Sequence, residues 1–149
     1  KDTEAIALAE EVVTPADTDL DAVALVYDYV TSHVTYDWDK AKTVESDYLP
    51  DVDEVLRSGK GICFDYAALM AAMLRSQKIP TRLEIGYAGT TYHAWISTYI
   101  TDVGWVNGII RFDGTDWSLM DPTLASSESS KKLRKFISDG QQYRTCYLY

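Results

Sequence analysis

The sequence has little cysteine and little histidine, which limits the kinds of site that it can build. Among its 149 residues are two cysteines, Cys63 and Cys146, and two histidines, His33 and His93. Two cysteines are too few for a disulfide scaffold, and the four residues together do not have the spacing of a zinc finger. The sequence leaves open a single disulfide between Cys63 and Cys146.

Long apolar runs and basic clusters are also absent. No stretch approaches the roughly 18 consecutive apolar residues that a membrane span needs, and the first residues lack the apolar core of a signal peptide. The 14 Lys and Arg residues stand against 23 Asp and Glu residues, a net charge of −9. Because binding nucleic acid needs clustered cations, we expect neither a nucleic-acid partner nor a membrane span. The acidity and the 11 tyrosines favour a secreted or cell-surface location over a cytoplasmic one, and the oligomeric state is left open.

Length and periodicity indicate one domain that begins with helices. A chain of 149 residues has the size of a single domain. We expect a helical preface over residues 1–34 and a catalytic core over residues 60–123. In the preface, Pro15 ends a first amphipathic helix, and Asp19 or Asp21 caps a second one.

The segment between the preface and the core is less regular. Residues 35–50 follow neither a helical nor a strand period, so they predict a long surface loop with a short strand around Val34–Tyr36. A short helix is expected at Val52–Ser58, and Gly59 should end it.

The second half changes from helix to strand. Gly61, Ile62 and Cys63 open a long helical segment that stops before Pro80. Alternating segments separated by glycine-containing turns follow, and a last strand is expected around residues 143–149. Helices first and an antiparallel sheet afterwards predict an α+β fold. The predicted strands of the sheet are Arg82–Tyr87, Tyr92–Tyr99, Trp105–Phe112 and Trp117–Met120.

Cys63 stands where a thiol can become a nucleophile. A free cysteine has a pKa of about 8.5, and the unpaired N–H groups at the start of a helix or a nearby imidazolium lower that value. Cys63 lies in the first turn of the long helix, and Gly61 before it permits a sharp turn that leaves the sulfur approachable. We therefore expect a thiol with a lowered pKa.

A base and an orienting carboxylate are available from the strands. His93 shares a strand face with Trp95, and Asp121 follows a strand and is held by Pro122. Cys63, His93 and Asp121 together fit acyl transfer by a nucleophile, a base and an orienting acid. Taken singly, each also fits a structural role, because buried cysteines, strand histidines and Asp-Pro turns are common. His33, at the end of the second helix, competes for the role of base.

The segments around these residues contain five motifs in a distinctive order. The motifs are Gly61–Ala67, Leu74-Arg75-Ser76 with Ile79–Arg82, Gly86-Tyr87, His93-Ala94-Trp95 and Asp121-Pro122-Thr123. In order and spacing they resemble the core of the transglutaminase-like superfamily over about residues 20–123. The resemblance implies a papain-like α+β fold in which a central helix carrying the cysteine packs on an antiparallel sheet. Lys78 departs from the family pattern, which usually has glycine before Ile-Pro.

The resemblance also assigns roles to individual residues. It implies Cys63 as the nucleophile, His93 as the general base and acid, and Asp121 as the residue that orients His93. The backbone N–H of Cys63 is one expected donor to the oxyanion, and Tyr36 or Trp38 is the second, with Tyr36 preferred. Both aromatic residues also fit a hydrophobic plug under the loop.

Two further side chains near the predicted site have simpler expected roles. Trp95 is expected to form a cleft wall or a core anchor. Asp65, in the first helical turn, should accept backbone N–H groups and point away from the sulfur.

The predicted function is acyl transfer or hydrolysis on a protein or peptide amide, through an acyl-thioester. The amide is a Gln carboxamide or a peptide bond, and water or an amine resolves the thioester. This chemistry requires no metal or organic cofactor. The alternative is a catalytically silent module that uses the same fold to bind peptide or cell-wall ligands.

Overall fold

A computed structural model describes residues 3–45, 48–88 and 91–120, and the backbone of residues 143–148. The chain forms two compact units, one up to residue 79 and one from residue 80 onward. Among the described residues, no helix combines the length and apolar character needed to cross a bilayer.

In the first unit, the part of the chain that the structure describes forms five helices and a two-stranded sheet. The central element is α5, which contacts α1, α2 and α4. The strands β1 and β2 form a short parallel ladder in which Thr35 pairs with Lys60 and Tyr36 with Gly61. In chain order the elements are α1 Thr3–Val13, α2 Asp19–His33, β1 Thr35–Tyr36, α3 Trp38–Thr43, α4 Val52–Ser58, β2 Lys60–Gly61 and α5 Cys63–Ser76.

The long helix α5 forms because its sequence favours helix throughout. It has no β-branched residue, an acid in its first turn (Asp65) and a base in its last (Arg75). Burial on most of its surface makes it a core helix, and each fully buried large side chain contributes about 1.5–3 kcal/mol relative to exposure. Those with the least exposure are Leu69, Met70, Met73 and Leu74.

The helix ends agree with the sequence analysis with one exception. Thr18, rather than Asp19 or Asp21, caps α2, because its side chain accepts the N–H of Asp21 at 3.1 Å. The two aspartates instead lie in the first turn, where a negative charge suits the helix dipole. Gly59 ends α4 as expected, with a φ of 67° that favours glycine.

The loop predicted for residues 35–50 contains two regular elements. The short strand is confirmed as β1, but residues 38–43 form the helix α3, which the sequence analysis did not predict. Asp37 caps α3 by accepting the N–H of Lys40 at 3.0 Å. None of the six residues of α3 is buried, so the helix has no apolar period to reveal it.

The described residues of the second unit form a five-stranded antiparallel sheet. Its strand order is β6-β5-β4-β3-β7. The strand β4 is central, and its consecutive residues His93–Ile96 are buried on both faces of the sheet, without alternation. The predicted strands, including the last, are confirmed within one or two residues. The strands are β3 Thr81–Ala88, β4 Thr91–Ile100, β5 Gly104–Phe112, β6 Trp117–Leu119 and β7 Tyr143–Leu148.

Helices in the first unit and an antiparallel sheet in the second confirm the α+β fold class. After α5, Lys78 has a φ of 65°, in the left-handed region. This is the position where the family pattern has glycine, and the conformation gives the physical reason, because a Cβ there is strained.

Candidate active site

Cys63 is the first residue of α5, and the short strand β2 leads into it. Gly61, two residues earlier, has no room for a side chain, because an added Cβ would lie 2.6 Å from the Cβ of Asp65. The glycine therefore permits the close approach of β2 to the first helical turn. Cys63 has no exposed surface, so the expectation of an approachable sulfur is not met in this structure.

Tyr36 lies beside the thiol because the β1–β2 ladder pairs it with Gly61. Beside the dominant effect of burial, hydrogen bonding from the Tyr36 hydroxyl lowers the pKa of the Cys63 thiol, and hydrogen bonding from the Cys63 backbone N–H lowers the pKa of Tyr36. The phenol therefore lies near both the thiol and a predicted donor to the oxyanion. Burial raises the pKa of Tyr36, so the hydroxyl keeps its proton.

Trp38, the other candidate donor, is half-exposed, with 51% of its surface accessible. Its ring contacts the Tyr36 ring, with centroids 4.3 Å apart. The Tyr36 ring also lies near the ring of Tyr66, at 6.0 Å. The structure therefore brings Tyr36 to the thiol, with Trp38 on its outer side.

The pKa of the Cys63 thiol is raised, contrary to the expectation from its position on the helix. Burial raises it from 9.0 to about 12. The hydrogen bonds from the Tyr36 hydroxyl and from the backbone N–H of Phe64 act in the opposite direction. The helix start does supply stabilising N–H groups, as predicted, but the cost of removing a thiolate from water is larger.

Asp65 is fully buried two residues after the thiol. Its Oδ2 accepts the backbone N–H of Ile62 at 2.8 Å, so the expectation that it accepts an amide is confirmed. The same carboxylate accepts the Lys40 ammonium at 3.0 Å and the hydroxyl of Tyr48. Sequence reasoning missed Lys40 and Tyr48, because both belong to the segment assigned to a loop.

His93 lies near the start of β4 and is buried. Its ring lies nearly parallel to that of Trp95, with centroids 5.8 Å apart, as expected for residues on one face of a strand. Burial lowers the pKa of His93, and the charge of Asp113 opposes this shift. The imidazole is therefore neutral at neutral pH and able to accept a proton.

Asp113 is the first residue after β5, in one of the glycine-containing turns expected between the strands. Pairing of Ala94 with Phe112 places it directly opposite His93, and directly opposed side chains share a face. Its Oδ1 accepts the N–H groups of Asp116 at 2.8 Å and Thr115 at 2.9 Å. Those bonds, and then the charge of His93, lower the pKa of Asp113.

The sequence signal for Asp113 was only approximate. Treating the predicted strands Tyr92–Tyr99 and Trp105–Phe112 as one antiparallel hairpin brings Arg111 opposite His93, and the register shift between Ile96 and Thr98 moves Asp113 to that position. Asp121 lies outside the described residues, and its role as the orienting acid stays a prediction.

The remaining candidates are placed as follows. His33 is the last residue of α2, exposed, and stacked on Tyr29 at 3.9 Å, with its Nδ1 2.8 Å from the Tyr29 carbonyl oxygen. These contacts fit a structural role for His33 at the end of the helix, which is the alternative to a role as the base. Only the backbone of Cys146, in β7, is described, so a disulfide to it stays untested.

Comparison with known proteins agrees with this fold. The profile of the Transglutaminase-like superfamily matches residues 6–108, and the chain belongs to that superfamily. A curated relative is the UPF0252 protein MJ1282 of Methanocaldococcus jannaschii, 31% identical over 90 residues. That match covers 52% of this chain and 26% of the relative.

Three solved structures share the fold. A proposed protease from Parabacteroides distasonis has a TM-score of 0.57 at 18% identity, over 72% of this chain and 23% of that one. A proposed cysteine protease from Cytophaga hutchinsonii has a TM-score of 0.57 at 23% identity, over 70% of this chain and 36% of that one. A chain named as a TGase has a TM-score of 0.54 at 24% identity, over 75% of this chain and 30% of that one. This chain therefore spans about a third or less of those it resembles.

Proposed function

We propose that this chain is a thiol-dependent enzyme of amide chemistry, with Cys63 as the nucleophile and His93 as the base. The observation that carries the proposal is the position of Tyr36, which the β1–β2 ladder holds beside Cys63 and whose hydroxyl lowers the pKa of the buried thiol. A buried cysteine that only fills space needs no such donor at its sulfur. Membership of the transglutaminase-like superfamily supports the same chemistry.

The protonation states define how the reaction starts. Burial raises the pKa of the thiol and lowers that of the imidazole, so both groups rest in their neutral forms. His93 therefore acts as a general base in the proposed mechanism: its ring nitrogen takes the thiol proton as the sulfur attacks the carbonyl carbon. The C=O electron pair moves to oxygen and gives a tetrahedral oxyanion.

The same polar groups can stabilise that oxyanion. When the sulfur bonds to carbon, it no longer needs the hydroxyl of Tyr36 as a donor. The Tyr36 O–H and the Cys63 N–H are then the two donors available to the negative oxygen. The imidazolium of His93 next protonates the leaving amine, the C–N bond breaks, and an acyl-thioester remains on Cys63.

A carboxylate beside His93 stabilises the imidazolium formed in the first step. Asp113 is the described carboxylate opposite His93, and we propose it for this role alongside the predicted Asp121. The two assignments differ in one measurable way. Turnover is compared in Asp113→Asn and in Asp121→Asn, and the variant with the larger loss identifies the residue that stabilises the imidazolium.

The acyl donor is proposed to be a protein or peptide, through a Gln carboxamide or a peptide bond. Water resolving the thioester makes the enzyme a protease or amidase, and an amine makes it a transglutaminase. Incubating the protein with a glutamine-containing peptide, with and without a primary-amine probe, separates these outcomes by the mass of the product.

The test of the site uses a peptide electrophile, turnover measurements and three variants, two of which form a matched pair of histidine substitutions. We expect the electrophile to label Cys63, and Cys63→Ala to abolish both labelling and turnover. His93→Ala should abolish turnover with the fold retained, whereas His33→Ala, at the exposed end of α2, should leave it unchanged. Labelling on Cys146, or activity lost in His33→Ala and kept in His93→Ala, contradicts the assignment.

One observation favours a second function, a silent module that binds peptide or cell-wall ligands. Cys63 has no exposed surface and a raised pKa, as expected for a cysteine that serves only in packing. This alternative predicts that the peptide electrophile does not label Cys63 at a pH below the pKa of the thiol. It also predicts that Cys63→Ala binds peptide as well as the wild-type protein does.

A further inference from the structure

A polar cluster on the helix side of the thiol connects two separate segments of the first unit. The cluster consists of Asp65 on α5, Lys40 on α3 and Tyr48 beyond α3. The Asp65 carboxylate, with no exposed surface, accepts the Lys40 ammonium, the Tyr48 hydroxyl and the Ile62 N–H. Lys40 also donates to Tyr48, so the three side chains form a closed set of hydrogen bonds.

The buried carboxylate has a cost at this position. Burying a charge is expensive unless it is paired and hydrogen-bonded, and Lys40 is the cation paired with Asp65. Asp65 is also negative beside the atom that carries negative charge if the thiol ionises, and its charge raises the pKa of Cys63. A cation on Asp65 reduces that repulsion.

The cluster also links the segments on both sides of the thiol. Tyr36 ends β1, Asp37 caps α3, and Lys40 lies in the first turn of that helix. The N–H of Asp37 donates to the carbonyl of Gly61 at 2.9 Å, which continues the contact beyond the β1–β2 ladder. The bond from Lys40 to Asp65 therefore joins the segment carrying Tyr36 to the helix carrying Cys63.

We propose that Lys40 is a positioning residue for the nucleophile, which neutralises Asp65 beside Cys63 and holds the Tyr36 segment against the start of α5. The proposal rests on the assignment of Cys63 as the nucleophile. Tyr48 completes the cluster as a protonated donor, because burial and then the Asp65 carboxylate raise its pKa to about 12. Within the first unit, the titratable and charged groups around the thiol are Tyr36 on β1, Tyr66 and Asp65 on α5, and Lys40 and Tyr48.

The experiment measures the rate of Cys63 alkylation by iodoacetamide at a fixed pH below the pKa of the thiol, with mass mapping of the labelled site. In that range the rate follows the thiolate fraction, so a pKa increase of one unit lowers it tenfold. We expect Lys40→Met to lower the rate by about tenfold, because the Asp65 charge beside the thiol is then uncompensated and raises the thiol pKa. Lys40→Arg should retain most of the rate.

Two further variants separate electrostatics from general damage to the fold. Lys42→Met removes an exposed lysine from the same helix and should leave the rate unchanged. The double variant Lys40→Met with Asp65→Asn contains no unpaired buried charge, and its rate should recover to the wild-type value or above. Recovery is the readout that a purely structural role of Lys40 does not produce.

The outcomes are distinct. Equal rates in Lys40→Met and Lys42→Met overturn the proposal. A slow single variant whose double variant stays equally slow also overturns it, because Lys40 then acts through structure alone. If Lys40→Met does not fold, the double variant decides: folding with a wild-type rate once the Asp65 charge is removed supports the proposal, and failure to fold overturns it, because Lys40 then acts through structure alone. Alkylation needs no turnover, so these results are readable even if the wild-type protein proves to have no enzymatic activity.

Discussion

The ionisation of Cys63 gives the sharpest prediction, because the structure supplies both its magnitude and its cause. Burial raises the pKa of the thiol from 9.0 to about 12. Since one pKa unit corresponds to about 1.4 kcal/mol, burial makes the thiolate about 4 kcal/mol harder to form. At neutral pH the thiolate fraction of the isolated thiol is then on the order of 10⁻⁵.

The perturbation that tests this account is Tyr36→Phe, which removes the hydroxyl that donates to the sulfur and keeps the ring. A hydrogen bond to a charged group contributes about 1.5 kcal/mol or more, so the thiol pKa should rise further by about one unit. Alkylation of Cys63 at a fixed pH below its pKa should therefore slow by about tenfold. The control is Tyr29→Phe, whose ring stacks on His33 and which should leave the rate unchanged.

The assay that can refute the reasoning is the ultraviolet absorbance of the thiolate, recorded as the difference between the wild-type protein and Cys63→Ser. We expect no thiolate signal at neutral pH and its appearance only under strongly alkaline conditions. A signal at neutral pH that disappears on acidification means that a thiolate–imidazolium pair exists at rest. That result contradicts general-base activation by His93.

The same pKa shift links Cys63 to stability. The folded-state pKa is raised, so the stabilising contribution is complete below the unfolded value of 9.0 and is lost as the pH rises toward 12. The free energy of unfolding should therefore fall with increasing pH across this window. Cys63→Ala should reduce the slope, as measured by urea unfolding at several pH values, and an unchanged slope contradicts the burial argument.

Three further predictions concern single substitutions. Asp113→Asn should lower kcat by about tenfold, or about 1.4 kcal/mol, because the His93 imidazolium loses a nearby anion. It should also move the acid limb of the pH–rate profile to lower pH, and an unmoved limb contradicts the pairing of Asp113 with His93. Lys78→Gly should raise the free energy of unfolding by about 0.5–1 kcal/mol, because left-handed strain exceeds the added entropy of the unfolded glycine; a loss in urea unfolding means that Lys78 is not strained. Gly61→Ala should cost about 1–3 kcal/mol, because its Cβ meets Asp65, and a neutral result means that the start of α5 can shift.

Much of the fold was predictable because its signals are local. Pro15, Gly59 and Pro80 mark helix ends through their own backbone preferences, and alternation marks the strands. The helix α3 was missed for the converse reason. It buries none of its residues and depends on the Asp37 cap and on Lys40 reaching Asp65, which is 25 residues away in sequence.

The candidate site was predictable in its residues more than in its energetics. Motif order pointed to Cys63, His93 and Asp121, and Tyr36 was the preferred of two aromatic candidates upstream of the thiol. The position of Asp113 required the register of β4 and β5, which sequence spacing constrains but does not fix. The raised thiol pKa depends on burial, a property of the whole fold, and a lowered value was the wrong expectation from the helix start alone.

The short ladder between β1 and β2 limits how related chains can change length. Because Tyr36 pairs with Gly61, a one-residue insertion between β2 and α5 would shift the aromatic hydroxyl by one position relative to the thiol. Insertions within the intervening segment between α3 and α4 leave that register intact. Divergent members of the superfamily that retain a hydroxyl donor of this type are therefore expected to vary in length before β2 and to conserve the spacing after it.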